Sequence, residues 1–411
     1  MRHMPDADVI VAGAGMAGLL TALALARRGA HVVLVESRRV GAGQSGQSHG
    51  YLHQGYAYGP DEPRLPALLG SAREHWLGLL ARIPPVTAGS TIAFCDPAAV
   101  RRAERYWRDS GLAVSPRTTP EWLTGTPVAC FGSTEPTYNV GDILRGLGAQ
   151  AGAAGIETRP GVVERIEESG NGVSARITEP YGRTALVRAR AVVLAAGAGT
   201  PELLARCGLP AAVQLRKAFM LLLRGRLPVV SVLFPERRAH GLFLASRVGD
   251  DGRTTWLVSD FQSFDSGGRD PGQLAGWWAH RVLLTLRRVV DAAMLARVDA
   301  VSGYSASKSG LLPRSGTVAH EFGIELLDGR VVVASPSKLT LAPLAARHAV
   351  RTVAARLGLR TDDDGWDPVT PLPPHRSPAR ETWETPRTAL DRPDLLGELP
   401  GIGTLSELYH R

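Results

Sequence analysis

Four consecutive apolar positions follow Asp8 in Asp8-Val9-Ile10-Val11-Ala12. A strand with no polar alternation is one buried on both faces, as in a parallel sheet. It runs into Gly13-Ala14-Gly15-Met16-Ala17-Gly18, then an apolar stretch, 19–28, that predicts a helix ending at Gly29. A second apolar strand over 31–35 ends at Glu36. Two later stretches repeat the theme. Residues 189–198 predict an apolar strand closing on glycine, before a helix whose start is marked by Thr200-Pro201-Glu202. Residues 330–334 predict another strand, followed by a loop over 335–343 and an amphipathic helix over 344–357. Between these stretches, 215–223, 243–248 and 255–261 are strand-like, and 272–296 predicts one helix.

The first unit carries chemistry. Gly13 permits a tight turn, Gly15 lets backbone approach a pyrophosphate, and Gly18 lets helix and strand pack closely. A pyrophosphate at the helix start meets free N–H groups and the positive end of the helix dipole. Glu36 falls 23 residues after Gly13, at the strand tip, where a carboxylate accepts hydrogen bonds from a ribose diol. An acid there would repel the 2′-phosphate of NADP. This is the Rossmann pattern of an α/β fold, and by itself it does not separate FAD from NAD.

Composition narrows the class. With 44% apolar and 21% charged residues in 411, the chain suits a globular protein of two domains. No apolar run reaches the roughly 18 residues that span a bilayer. The N-terminus shows no apolar signal-peptide core, so the expected location is cytoplasmic. Three dispersed cysteines, Cys95, Cys130 and Cys207, form no CxxC and predict neither disulfides nor a metal site. The net charge of +8 comes from scattered arginines rather than a stripe, so no nucleic-acid partner is expected. Only three lysines occur: Lys217, Lys308 and Lys338.

A nucleotide domain built from three separated stretches is a flavoprotein habit. The chain resembles the D-amino-acid oxidase superfamily, which includes sarcosine and glycine oxidases and L-2-hydroxyglutarate dehydrogenase. Beyond the N-terminal motif, the resemblance rests on Gly46-Gln47-Ser48-His49-Gly50-Tyr51-Leu52-His53-Gln54-Gly55, on 192–199, and on Leu339-Thr340-Leu341-Ala342-Pro343, close to a "T-L-A-P" signature. It implies FAD lying extended on the nucleotide domain under a second, α+β domain with a mainly antiparallel sheet. On that template residues 1–60, 138–212 and 300–360 form the FAD domain, and 61–137 and 213–299 the substrate domain. A Pro-rich extension fills 361–411, where Trp366, Trp383 and Tyr409 suggest a segment draped over a surface or a partner subunit rather than long disorder.

The FAD-binding set implied by the resemblance is Gly13, Gly15, Met16, Ala17, Gly18, Glu36, Ser37, Gln44, Ser45, Ser48, His49, Gly50, Val163, Ala196, Gly197, Ser337, Lys338, Leu339 and Thr340. Catalysis needs few protein groups, since the cofactor does the hard chemistry. The uncharged loop 44–59 holds two His, three Tyr and three Gln. His53 in it is either a general base for an O–H or N–H proton or a neutral histidine fixed by the loop. His49 is its alternative, including as a covalent tether. Where the family carries a carboxylate-binding arginine, this chain has Gly303-Tyr304-Ser305, which puts a plain α-amino acid in doubt. Tyr304 is a further catalytic candidate, and Lys308 a less directional carboxylate partner. Lys338 stands where the family has glycine, and is either close to the flavin or a solvated loop lysine. The expected function is oxidation of a small molecule at a C–N or C–OH bond, with the electron acceptor open. An FAD monooxygenase and a flavin-binding module without catalysis are the alternatives.

Overall fold

The computed structural model describes residues 5–60, 62–125, 127–170, 172–236, 241–249, 251–261, 264–265, 271–311, 322–327, 329–360 and 371–372. Two sheets organise them. The first has the order 323–326, 331–334, 184–194, 7–12, 32–36, 157–160. Strand Ala7–Ala12 lies at its centre, parallel to Val32–Glu36 on one side and Thr184–Leu194 on the other. Five of its six residues are buried, which explains its unbroken apolar run: both faces are covered. Val9 and Val11 meet helices Met16–Arg27, Val140–Ala153 and Ala342–Leu357 through Leu23, Ile143 and Val350. Ile10 and Ala12 face the other way. There a three-stranded antiparallel meander supplies Ile166, Ala175 and Val187, and helix Thr200–Arg206 supplies Leu203.

The second sheet has nine strands among the described residues, antiparallel except where Ser231–Phe234 runs parallel to Ser90–Phe94. Its spine is Val213–Gly225, paired along its length with Val298–Leu311. The parallel nucleotide sheet and the mainly antiparallel second sheet are thus both present.

Several element bounds differ from expectation. The predicted helix over 272–296 is two, Pro271–Val289 and Ala292–Leu295. Asp291 breaks it in extended conformation, and its carboxylate accepts from Ala293 N at 2.8 Å to cap the second helix. The expected return to the nucleotide domain at residue 300 falls inside the second sheet, because 298–311 is bonded there. Helix Leu65–Leu79, expected with the substrate domain, packs on the nucleotide side: Leu65 and Leu69 meet Leu344, and Trp76 Nε1 donates to Thr340 O at 3.0 Å. The extension over 361–411 lies outside the described residues except 371–372. Leu372 is buried there beside Gly146, and its N–H donates to Leu79 O at 3.0 Å. No described helix is long and apolar enough to cross a membrane.

Candidate functional site

A cavity of about 620 Å³ opens between the two sheets, within the ~300–1,000 Å³ common for ligand sites. It begins at the turn after the central strand. Gly13 has φ +106, and a Cβ there would fall 2.5 Å from Ala195 O. A Cβ on Gly18 would fall 1.9 Å from Gly13 O, so both glycines are dictated by the closeness of helix, turn and strand. Helix Met16–Arg27 starts at Gly15 with no side-chain cap from that residue. Instead the Ser45 hydroxyl accepts from Met16 N at 2.9 Å, leaving its own proton to donate into the cavity. Glu36 Oε2 accepts from Ala14 N at 2.8 Å and Oε1 from Arg38 N at 2.9 Å. The acid at the strand tip is therefore fixed to the glycine turn before any ligand arrives.

The cavity continues along loop 44–59. Gln44 Oε1 accepts from both Ser309 N and Ser309 Oγ at 2.9 Å, tying the loop to the second sheet. Ser37, Ser48, His49, Val163, Ala196, Gly197, Ser337, Lys338 and Leu339 line the walls with the glycine turn. Gly18, Gly50 and Thr340, named with them from sequence, stand behind the lining. Gly50 is there because a Cβ would fall 1.9 Å from Tyr138 O. Thr340 holds the loop, its Oγ1 accepting from His53 N at 3.0 Å.

The far end is aromatic and cationic. His53 stacks on Tyr51 at 4.7 Å and meets Phe243 edge-on at 5.6 Å. Its Nδ1 is buried with no hydrogen-bond partner among the described residues. Burial first, then the charges of Lys338, His49 and Lys308, push His53 down to about 3. His49 Nε2 is 2.8 Å from Ser259 Oγ, and burial, then Lys308 and Arg247, push it down to about 3. Both rings are neutral at working pH. Tyr304 is buried and donates to Gln47 O at 2.8 Å; burial raises its hydroxyl above the usual tyrosine range. Its proton is committed to bracing the loop.

Tyr304, Ala306 and Lys308 all line the cavity, as period-two alternation along Val298–Leu311 requires. Ser305, between them, is not in the lining. Lys308 has surface open to the cavity, while its ammonium is surrounded by protein. That burial, with Lys338, pushes it below the ordinary lysine range, and Asp260 opposes the push. Asp260 is itself held by Arg281 and by Trp278 Nε1 at 3.1 Å. Neither Lys308 nor Lys338 makes an ion pair among the described residues.

Sequence reasoning missed Arg247 and Glu135. Arg247 is buried and donates to the carbonyls of His49 at 3.0 Å and Ser48 at 3.3 Å; burial lowers it to about 10. Nothing near either residue in the sequence signals its role, because each acts on loop 44–59 from a distant element. The grouping of Lys308 and Lys338 had a signal: they are two of three lysines in an arginine-rich chain. Among the described residues no group of His, Cys, Asp and Glu is placed to hold a metal.

The shape and donors fit FAD. One end offers a glycine turn with a helix start and a fixed acid. The lining then runs without a break to neutral histidines and cations under the second sheet. The family described as "FAD dependent oxidoreductase" (DAO) matches residues 8–352. The probable FAD-dependent oxidoreductase PA4991 of Pseudomonas aeruginosa is 30% identical over 415 residues, covering 93% of this chain and 99% of that protein. Its crystal structure superposes with a TM-score of 0.61 at 24% identity, over 92% of this chain and 98% of that one. The glycine oxidase of Geobacillus kaustophilus gives a TM-score of 0.67 at 19% identity, over 91% and 100% of the two chains. The iminodiacetate oxidase of Chelativorans sp. BNC1 gives 0.67 at 17% identity, over 89% and 100%. With the fold, the cavity and a match over most of its length, the chain belongs to the DAO family of FAD-dependent oxidoreductases.

Proposed function

We propose that the enzyme removes a hydride equivalent from the C–N or C–OH bond of a small organic anion held at the cationic end of the cavity. The observation that carries this reading is the grouping of Lys308 and Lys338, without ion-pair partners among the described residues, beside a neutral His53 whose Nδ1 has no hydrogen-bond partner among them. FAD, when bound, supplies the two-electron acceptor. Gly13, Gly15, Glu36 and Ser45 would hold its dinucleotide end, and Gln44 through His49 with Ser337 through Leu339 its ring end. The electron acceptor that follows is open.

The protein's own part is binding, orientation and a proton. Lys338 lies close enough to Lys308 to add to the push that burial exerts on it, and an anion between the two ammonium groups is favoured. Ammoniums serve a carboxylate as point charges, without the two-pronged geometry of arginine. That suits a chain with serine at 305. His53 is a weak base first because it is buried and then because Lys338 and Lys308 face it. A bound anion offsets the two lysine charges, so the ring becomes a stronger base when substrate is present. Nδ1 is then placed to take the O–H or N–H proton. Phe243, Phe261 and Tyr58 wall the same end and exclude water.

Anaerobic addition of amines, amino acids and 2-hydroxy acids to the holoenzyme, followed by flavin absorbance, tests the reading. Bleaching by carboxylate-bearing compounds is expected. Bleaching by neutral amines alone would overturn the anion site, and bleaching by NADPH would identify a monooxygenase.

A further inference from the structure

Loop 44–59 reaches the cavity at Tyr51 and His53, and what fixes that point lies outside the cavity. Residues 50–52 are held by backbone pairing to the segment before helix Val140–Ala153. Tyr138 N donates to Gly50 O at 2.9 Å, and Leu52 N to Pro136 O at 3.0 Å. The pairing ends at Leu52, and beyond it a side chain takes over. Glu135 Oε1 accepts from Gln54 N at 2.5 Å and from Gly55 N at 3.2 Å. Glu135 is fully buried, with 0% exposure. Two successive backbone N–H groups on one carboxylate oxygen are charge-assisted bonds, stronger than neutral ones. Gly55 has φ +119 with Pro66 against it, a conformation other side chains rarely adopt.

We propose that Glu135 is a positioning residue: its buried carboxylate grips the Gln54–Gly55 turn and so sets the Tyr51–His53 stack against the cavity. His53 is then held from both sides. Thr340 Oγ1 holds its own N–H, and Glu135 holds the N–H of the next residue. Glu135 is anchored in turn, since Ser90 Oγ donates to its carbonyl at 2.7 Å and bonds Ser231 Oγ at 2.9 Å. The Tyr51 hydroxyl lies close enough to Glu135 for each to shift the other's protonation. Neither that hydroxyl nor Glu135 Oε2 makes a hydrogen bond of good geometry. The stacked ring and the anchor are thus adjacent without being locked together.

A grip made by a carboxylate weakens on protonation, so the position of His53 follows the charge of Glu135. Burial, opposed by its backbone hydrogen bonds, pushes the carboxyl up to about 7. The other titratable groups facing it are Tyr51 and Tyr56, both raised by burial, and Arg73, whose guanidinium donates to Thr134 O at 3.5 Å. His49 and His53 lie near 3, Lys308 and Lys338 face His53 from the cavity side, and Glu135 is the carboxyl raised to about 7.

The experiment needs no substrate. Holoenzyme labelled with ring-¹⁵N histidine is titrated by NMR, with the His53 signal assigned by its loss in His53→Gln. Hydrogen exchange is measured on peptides covering 51–56. In wild type the His53 signal should step near pH 7 although the ring stays neutral. In Glu135→Gln the step should vanish, and exchange at 54–55 should rise roughly ten- to a hundredfold with the second sheet unchanged. Wild-type-like protection and an unchanged step in that variant would overturn the proposal. So would a rise in exchange spread evenly through the second sheet, which would make Glu135 a general stability residue. If Glu135→Gln does not fold, Glu135→Asp decides, since it keeps the charge and shortens the reach: wild-type protection at 54–55 with an unmoved His53 signal overturns the proposal.

Discussion

Lys338 Nζ stands 5.0 Å from the centre of the Tyr58 ring, on the cavity wall. The ring face holds the ammonium by a cation–π contact worth roughly 0.5–1 kcal/mol at a partly exposed site. The contact keeps the ammonium on the cavity wall, and a role toward ligand or flavin is the reading to test. Lys338→Met keeps most of the stem and removes the charge. It should weaken binding of carboxylate ligands about five- to fiftyfold, read from ligand-induced shifts of the flavin spectrum, and should lower the flavin midpoint potential. Affinity and potential both at wild-type values would place the ammonium out of reach of ligand and cofactor.

The cofactor end makes a separate test. Glu36 is bonded to Ala14 N on the glycine turn, so its carboxylate is oriented before FAD binds. Glu36→Ala removes that bond and the acceptor at the strand tip. FAD affinity should fall about ten- to a hundredfold, since hydrogen bonds to charged groups contribute roughly 1.5–3 kcal/mol. The ratio of FAD to protein after dialysis measures it, and full retention would deny Glu36 a part in holding the cofactor.

How much of this was legible before folding depended on distance along the chain. The strand, glycine turn and acid from 8 to 36 form one local unit, and its periodicity and turn chemistry pointed straight to a nucleotide site. The strands expected over 189–198 and 330–334 were legible for the same reason, and they are found at Thr184–Leu194 and Val331–Ala334. The join between domains was not. Residues 298–311 look like any strand, and only their pairing with Val213–Gly225 assigns them to the second sheet. The break at Asp291 carried its signal, an N-capping residue inside an apolar helical pattern, but the longer periodicity masked it. Arg247 and Glu135 were unreadable, because each gains its meaning from backbone groups of a loop far away in sequence.

His53 was legible as a candidate, and its two roles are now separable. Its ring faces the cavity with Nδ1 unpartnered, while its backbone N–H is held by Thr340. The backbone contact survives any side-chain substitution. His53→Ala should therefore keep FAD and lower the rate of flavin reduction by roughly 10²- to 10⁴-fold, the usual worth of a placed general base. Stopped-flow reduction with a compound found to bleach the flavin gives the rate. A normal rate with lowered thermal stability would make the ring a packing element.

Glu135 also marks the pH dependence of stability, and the sign follows from its raised carboxyl. The group moves from an ordinary 4.5 to about 7 on folding. Between those values the native state holds a proton that the unfolded chain has lost. Stability contributed by this group is therefore full below about pH 4.5, declines as pH rises, and is gone above about 7. The direction is opposite to that of a carboxylate in a salt bridge, whose contribution is lost on acidification. A shift of that size corresponds to on the order of 3 kcal/mol. Denaturant unfolding of the holoenzyme at fixed FAD concentration, at pH 5 and pH 7.5, should show wild type losing about that much more than Glu135→Gln over the interval. The amide cannot titrate and occupies nearly the same volume, and its weaker, neutral acceptance from Gln54 and Gly55 is the same at both pH values, so the difference between the two pH dependences isolates the proton. Parallel curves would mean that the carboxyl keeps its ordinary affinity for protons despite its burial, and that the bonds from Gln54 and Gly55 outweigh the cost of burying its charge.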